Sequence, residues 1–265
     1  MMIKVLLSTL LQQQQELWSK RFERCKKLGL AEAIVTTLYI DAAEKLTPYN
    51  GRSREKLEKM NRKLRAADKK LINCVADVTM PLVSEKARVL EIGCGPGNLL
   101  LRLLPIIVDE AGGDYRAIDF CQKYVNLARR QVRQVLKRSD VKCITYGFAH
   151  ELTGNSHGRH PPFAEESLQI VIFGRVGLHI VDDQDWEETL CQIGSVIAPG
   201  GYLVLYEALA DDNFRFTPSG KFRRLSQYED VLAEKGLKRM AVRKCRFMNE
   251  IDTIVTFQKT ATARR

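Results

Sequence analysis

Three glycines at alternate positions, Gly93, Gly95 and Gly97, follow directly on the apolar run Val89-Leu90-Glu91-Ile92. Glycine at such a turn lets backbone approach a ligand closely, and a helix starting just after it points its N-terminus at the same place. An acid, Asp119, stands 22 residues beyond Gly97 at the end of a second apolar run. A carboxylate there can accept hydrogen bonds from both hydroxyls of a ribose, each worth roughly 1.5–3 kcal/mol. The chemistry implied is therefore nucleoside binding. The spacing G-C-G-P-G differs from the dinucleotide pattern G-x-G-x-x-G, and Pro96 removes an N–H that a pyrophosphate would use. Asp119 also fits a helix N-cap for the segment beginning at Cys121, a role compatible with the first.

The segment Glu91-Ile92-Gly93-Cys94-Gly95-Pro96-Gly97 resembles motif I of the class I S-adenosylmethionine-dependent methyltransferases, acidic-x-G-x-G-x-G. The resemblance spans about residues 85–259. It implies S-adenosylmethionine as methyl donor, S-adenosylhomocysteine as product, and a binding set of Glu91, Gly93, Cys94, Gly95, Gly97, Asp119 and Phe120. Glu91 would lie beneath the methionine amino group, Asp119 would take the ribose, and Phe120 would pack near adenine. A family segment that carries an acid for the adenine amino group resembles Tyr146–Leu152, but Phe148 stands in the acid's place. Backbone at Phe148 and Ala149, or Glu151, is then left to meet adenine.

After the fourth strand, Phe173-Gly174-Arg175-Val176-Gly177-Leu178-His179 corresponds to the edge that lines the reactive methyl in the family. His179 is the candidate general base, with a packed structural histidine as the alternative. Arg175 is counted with the cofactor-binding set, or else it orients an acidic substrate or pairs with Glu207. Tyr206 and Glu207, at the end of the fifth strand, are further candidates for substrate contact, and Glu207 for catalysis. His150, His157 and His160 fall in or near a Gly/Pro loop without paired ligand spacing, so no metal site is expected.

These residues need a scaffold. From Lys86 onward strands and helices alternate, which predicts an α/β fold with a parallel sheet covered on both faces. The predicted strands are Arg88–Ile92, Tyr115–Ile118, Lys142–Tyr146, Leu168–Phe173 and Tyr202–Leu209, with helices near 98–109, 121–137 and 183–197 and a loop near 150–165. Ser226-Gln227-Tyr228-Glu229 reads as a capping box opening a helix to Lys235, stopped by Gly236. Lys238–Arg246 and Ile251–Lys259 read as a closing hairpin. The resemblance implies a Rossmann-like methyltransferase sheet with an antiparallel last strand.

Residues 1–80 read as a helical cap and substrate region, with the cofactor-binding domain at 81–265. Leu7, Leu11, Trp18, Phe22 and Cys25 share one helical face, and Ala31, Ile34, Val35, Leu38 and Ala42 another. After a turn at 47–51, Ser53 caps a third helix with the stripe Leu57, Met60, Leu64, Ala67 and Leu71. Such caps close over sites and exclude water, and Tyr49–Arg54 is a candidate lid.

The 265 residues carry a formal net charge of +10. Residues 1–86 hold 17 basic against 10 acidic side chains, 87–210 hold 12 against 15, and 211–265 hold 13 against 7. The basic excess lies outside the glycine-loop core. It suits RNA or an acidic protein, or is simply the solvated face of basic helices. No apolar run approaches the roughly 20 residues of a membrane span, and seven scattered cysteines without C-x-x-C spacing predict neither zinc site nor disulfide framework. A reducing cytoplasm is the expected compartment.

The expected function is methyl transfer to a small molecule or peptide by in-line displacement. Protein or RNA methylation is one alternative. An inactive fold that binds the cofactor or a partner is another, favoured by the change at Phe148.

Overall fold

The computed structural model describes residues 66–138, 141–153, 163–210, 215–217, 220–247 and 250–260. The first two amphipathic stretches, the turn and lid at 47–54, the start of the third helix, and His157 and His160 lie outside the described residues.

The third helix is described over 66–79, here α1. Leu71, Val75 and Ala76 on it are fully buried, with Ala67, Ile72 and Val78 packed against the same core. The apolar stripe predicted at Ala67 and Leu71 therefore docks on the domain. α1 runs into the short 3-10 turn Met80–Leu82, where Pro81 ends regular helix.

The strands are β1 (Arg88–Ile92), β2 (Asp114–Asp119), β3 (Ile144–Tyr146), β4 (Leu168–Gly174), β5 (Ile197–Ala208), β6 (Arg215–Thr217), β7 (Gly220–Phe222), β8 (Leu237–Phe247) and β9 (Glu250–Lys259). Seven form one sheet in the order β3-β2-β1-β4-β5-β9-β8. The five alternating units pair in parallel, while β9 runs antiparallel to β5 and to β8. β6 and β7 form a separate small hairpin that the periodicity did not announce.

Alternation along the strands divides the core. Val89, Ile170, Ile172 and Val204 face the side covered by α1, α2 (Asn98–Leu104) and α3 (Gln122–Val135). Leu90, Val171, Phe173, Leu203 and Leu205 face the side covered by α4 (Asp183–Val196) and α5 (Leu225–Ala233). Side chains both ways are apolar because both faces are covered.

Three local expectations are corrected. The helix read over 98–109 is α-helical only to Leu104. Pro105 has no N–H to continue the ladder, and Pro105–Glu110 winds with a wider repeat, Ala111 N–H donating to Ile106 O at 3.0 Å. β5 begins five residues earlier than expected, at Ile197. The cap of α5 is at Arg224, not Ser226: Gln227 Oε1 accepts the Arg224 N–H at 3.0 Å. Gly236 closes that segment as expected, with φ +74°. Among the described residues no helix is long and apolar enough to cross a membrane.

The strand order reverses between β1 and β4. A crevice opens beyond the carboxyl ends of two strands whose connections leave in opposite directions, and ligands of open α/β sheets bind there.

Candidate active site

The glycine turn leaves β1 into that crevice. Gly93 and Cys94 donate their N–H groups to Ile118 O at 2.8 and 3.1 Å, which ties the turn to β2. Gly93 has φ +78°, and a Cβ there would lie 2.1 Å from Val176 Cγ2. Gly95 has φ +51° and faces open space. Gly97 was expected to give clearance for the cofactor. It does not line the cleft: it caps α2 at φ +90°, and its missing Cβ clears Ala128 of α3, which would stand at 3.1 Å. Helix packing is what requires glycine there.

Asp119 ends β2 beside the turn. Its Oδ2 accepts the Gly95 N–H at 2.9 Å and its Oδ1 the Cys121 N–H at 2.8 Å, so the N-cap and turn-facing roles coexist. Burial pushes this carboxyl up to about 6, against the opposing pull of the two backbone donors. Glu91 is also buried. Burial raises it to about 7, a hydrogen bond from Tyr115 at 2.7 Å works the other way, and the Asp119 charge adds to the rise.

One cleft gathers most of the expected residues: Glu91, Gly93, Cys94, Gly95, Asp119, Phe120, Arg175 and His179. It encloses about 850 Å³ of space, the open solvent at its mouth included. α1 roofs it with Asp68, Leu71 and Ile72. Asn98 Nδ2 donates to Asp68 Oδ2 at 2.7 Å, joining roof to turn. Burial raises Asp68 to about 6, moderated by Asn98 and by the Arg175 charge. The sequence offered no local signal for Asp68, which comes to the cleft only through the docking of α1.

Two expectations at the β4–β5 edge are corrected. Tyr206 lines the cleft, but Glu207 does not. Successive strand residues face opposite ways, so only one of the pair can look in. Glu207 is fully buried and its Oε1 accepts the Gly177 N–H at 2.9 Å, beneath the 3-10 turn Gly177–His179. Burial pushes it up to about 8, eased by that N–H and the Arg175 charge. Arg175, in the left-handed region at φ +55°, places Nη1 3.6 Å from Asp252 Oδ2 of β9; the pairing expected with Glu207 falls to Asp252.

Phe148 and Ala149 are not among the lining residues. The Phe148 ring is buried, stacked with His150 at 5.4 Å and Phe120 at 6.5 Å and edge-on to Tyr146 at 5.6 Å. It supports the wall on which Phe120 sits rather than reaching the cleft with its own ring.

A family model described as a methyltransferase domain matches residues 89–201. Magnesium protoporphyrin IX methyltransferase from Synechocystis PCC 6803, solved with bound S-adenosylhomocysteine, superposes with a TM-score of 0.59 at 14% identity, covering 84% of this chain and 95% of that one. The N-methyltransferase NodS from Bradyrhizobium japonicum WM9, also with S-adenosylhomocysteine, gives 0.54 at 15% identity, covering 73% and 87%. In sequence, the tRNA N(3)-cytidine methyltransferase METTL2 of Danio rerio is 25% identical over 125 residues, 47% of this chain. The match spans only 33% of that relative's length. With the motif I turn, the 3-2-1-4-5 parallel order and the antiparallel close in place, residues 89–201 match a methyltransferase domain, and the chain has the fold of the S-adenosylmethionine-dependent methyltransferases.

Proposed function

We propose that the cleft holds S-adenosylmethionine with its ribose on Asp119 and its methionine end toward Glu91 and Gly93, and that a small molecule or peptide is methylated under α1. The residues fit this cofactor. Each oxygen of Asp119 keeps a lone pair after its one backbone bond, enough for a ribose diol. Asp68, Glu91 and Asp119 bring three carboxyl groups to one cleft, which suits a ligand carrying a sulfonium and an ammonium. Gly95 leaves room where a side chain would intrude. When bound, the cofactor supplies a methyl group on a positively charged sulfur, open to in-line attack.

The chain's own part is positioning. Phe120 on its Phe148 support offers an aromatic face to adenine. Arg175 and Tyr206 stand beside the methyl-facing edge, and the roof helix excludes water, so orientation supplies much of the rate. His179 is the residue placed to take a proton where the acceptor nitrogen or oxygen carries one.

The observation that carries the acceptor reading is the roof: Asp68, Leu71 and Ile72 of α1 cover the crevice and line it together with the glycine turn. A second reading, RNA, is favoured by the likeness to a tRNA methyltransferase and by the basic flanks. Transfer of a tritiated methyl group into fractionated extract separates them. Label in small molecules or peptides supports the first reading. Label in RNA, lost steeply as salt rises because phosphate contacts release counterions, replaces it with the second.

A further inference from the structure

Cys74 and Cys245, 171 residues apart, bring their sulfurs within 3.1 Å, the Cys245 thiol donating to Cys74 Sγ. Both are free thiols. One lies on α1, the other on β8 at the edge of the sheet. The contact belongs to a wider docking of helix on strand. Asp77 follows Cys74 by three residues on the helix, Arg243 precedes Cys245 by two on the strand, and Arg243 Nη2 stands 3.9 Å from Asp77 Oδ2. Spacings of three on a helix and two on a strand each keep one face, so both pairs report the same seam.

That seam borders the cleft twice. Asp68, Leu71 and Ile72 of the roof precede Cys74 on α1, Asp68 by about 9 Å along the axis. On the sheet, Cys245 stands opposite Asp252, which pairs with Arg175 of the cleft wall.

We propose that Cys74 and Cys245 are a site of reversible oxidation, whose disulfide fastens α1 across β8 and slows ligand exchange in the cleft that α1 roofs. The second half rests on the cofactor placement above; the first does not. A disulfide needs the sulfurs at about 2.05 Å, so an approach of about 1 Å closes the bond. The reagent class is a small-molecule disulfide. Cys74, the less buried sulfur, attacks it as thiolate, forming a mixed disulfide and expelling one thiolate. Cys245 then attacks Cys74 Sγ. Its proton passes to the expelled thiolate, and the second reagent sulfur leaves as a thiolate that takes up the proton Cys74 had given to solvent. Two protein thiols are oxidised and one reagent disulfide is reduced to two thiols. Burial and the neighbouring Cys74 sulfur push the Cys245 thiol up, so it stays protonated until the mixed disulfide lies against it.

The full chain is incubated with oxidised or reduced glutathione, alkylated, digested without reduction and analysed by mass spectrometry. The expected result is a bridged peptide pair carrying Cys74 and Cys245, formed with oxidised glutathione and removed by dithiothreitol. Cys245→Ser should leave glutathione on Cys74, and Cys74→Ser, at the less buried position, should abolish both adducts. No bridged pair, or Cys74 joined to another cysteine, overturns the proposal. In parallel, release of S-adenosylhomocysteine should be at least about fivefold slower from the oxidised chain and recover with dithiothreitol. Equal release rates with the bridge formed overturn the gating half. A reduced chain that binds no cofactor overturns the cleft assignment instead, and the bridged-peptide result stands apart from it.

Discussion

Asp119 Oδ2 accepts the N–H of Gly95 at 2.9 Å, across 24 residues of chain. This bond locks the turn after β1 to the end of β2 with a carboxylate that also faces the cleft. A single side chain thus shapes the glycine turn and presents acceptors to a ligand.

The three glycines of the turn do different work, and substitution separates them. Gly93→Ala would put a methyl 2.1 Å from Val176 Cγ2 at positive φ. It is expected to cost about 2–4 kcal/mol of stability, read as a fall in denaturant midpoint. Gly95→Ala meets nothing within 4 Å. It should cost only about 1–2 kcal/mol for the left-handed backbone and act mainly by weakening cofactor binding. A Gly95→Ala chain that binds normally would show that the turn does not approach the ligand.

Cofactor binding should release protons. Glu91 sits at about 7 and Asp68 and Asp119 at about 6 before binding, all raised by burial. A cationic ligand favours their ionised forms. Affinity for S-adenosylmethionine is therefore expected to rise from about pH 5 to about pH 8 and level off above, by up to about tenfold per unit for each proton released. S-adenosylhomocysteine, lacking the sulfonium, should rise less steeply. Calorimetry in buffers of different ionisation enthalpy measures the proton count directly.

Glu207 should titrate as a structural liability rather than as a catalyst. Its folded value, about 8, lies above its unfolded one. The native state therefore holds a proton that the unfolded chain has lost, and this group's contribution to stability is present at low pH and lost as pH rises toward about 8. Wild type should lose stability relative to Glu207→Gln over that range, by an amount of order a few kcal/mol. Parallel curves of unfolding free energy against pH for the two proteins would contradict this. Methyl transfer by Glu207→Gln should stay within about threefold of wild type, because the side chain supports Gly177 from outside the cleft.

His179→Ala distinguishes a base from a packed ring. With an acceptor that loses a proton, kcat should fall about 10²–10⁴-fold while cofactor affinity holds. Unchanged kcat would leave His179 a wall residue only.

The parts of the site readable in the sequence are those made locally. The β1 strand, its glycine turn and the start of α2 are contiguous, and Asp119 follows at a spacing set by one helix and one strand. The sheet was readable because strands covered on both faces are apolar at most positions. What escaped depends on docking or on direction. Asp68 reaches the cleft because α1 lies over it, which no neighbouring residue announces. Tyr206 and Glu207 looked equivalent until the pleat turned one in and the other away. Gly97 is required by Ala128, 31 residues on, and Cys74 meets Cys245 only in the folded chain. The change at Phe148 was visible as a departure, but its consequence was not: its ring packs against Phe120 instead of lining the cleft.

The central claim is that Asp119 holds the cofactor's ribose at the motif I turn. Titrating S-adenosylmethionine and S-adenosylhomocysteine calorimetrically into wild type and Asp119→Ala tests it most directly. Wild type should bind both at one site, and the variant should bind each at least about tenfold more weakly, as expected from losing charge-assisted hydrogen bonds. Equal affinities in the two proteins, with the variant shown folded by its melting curve, would contradict it.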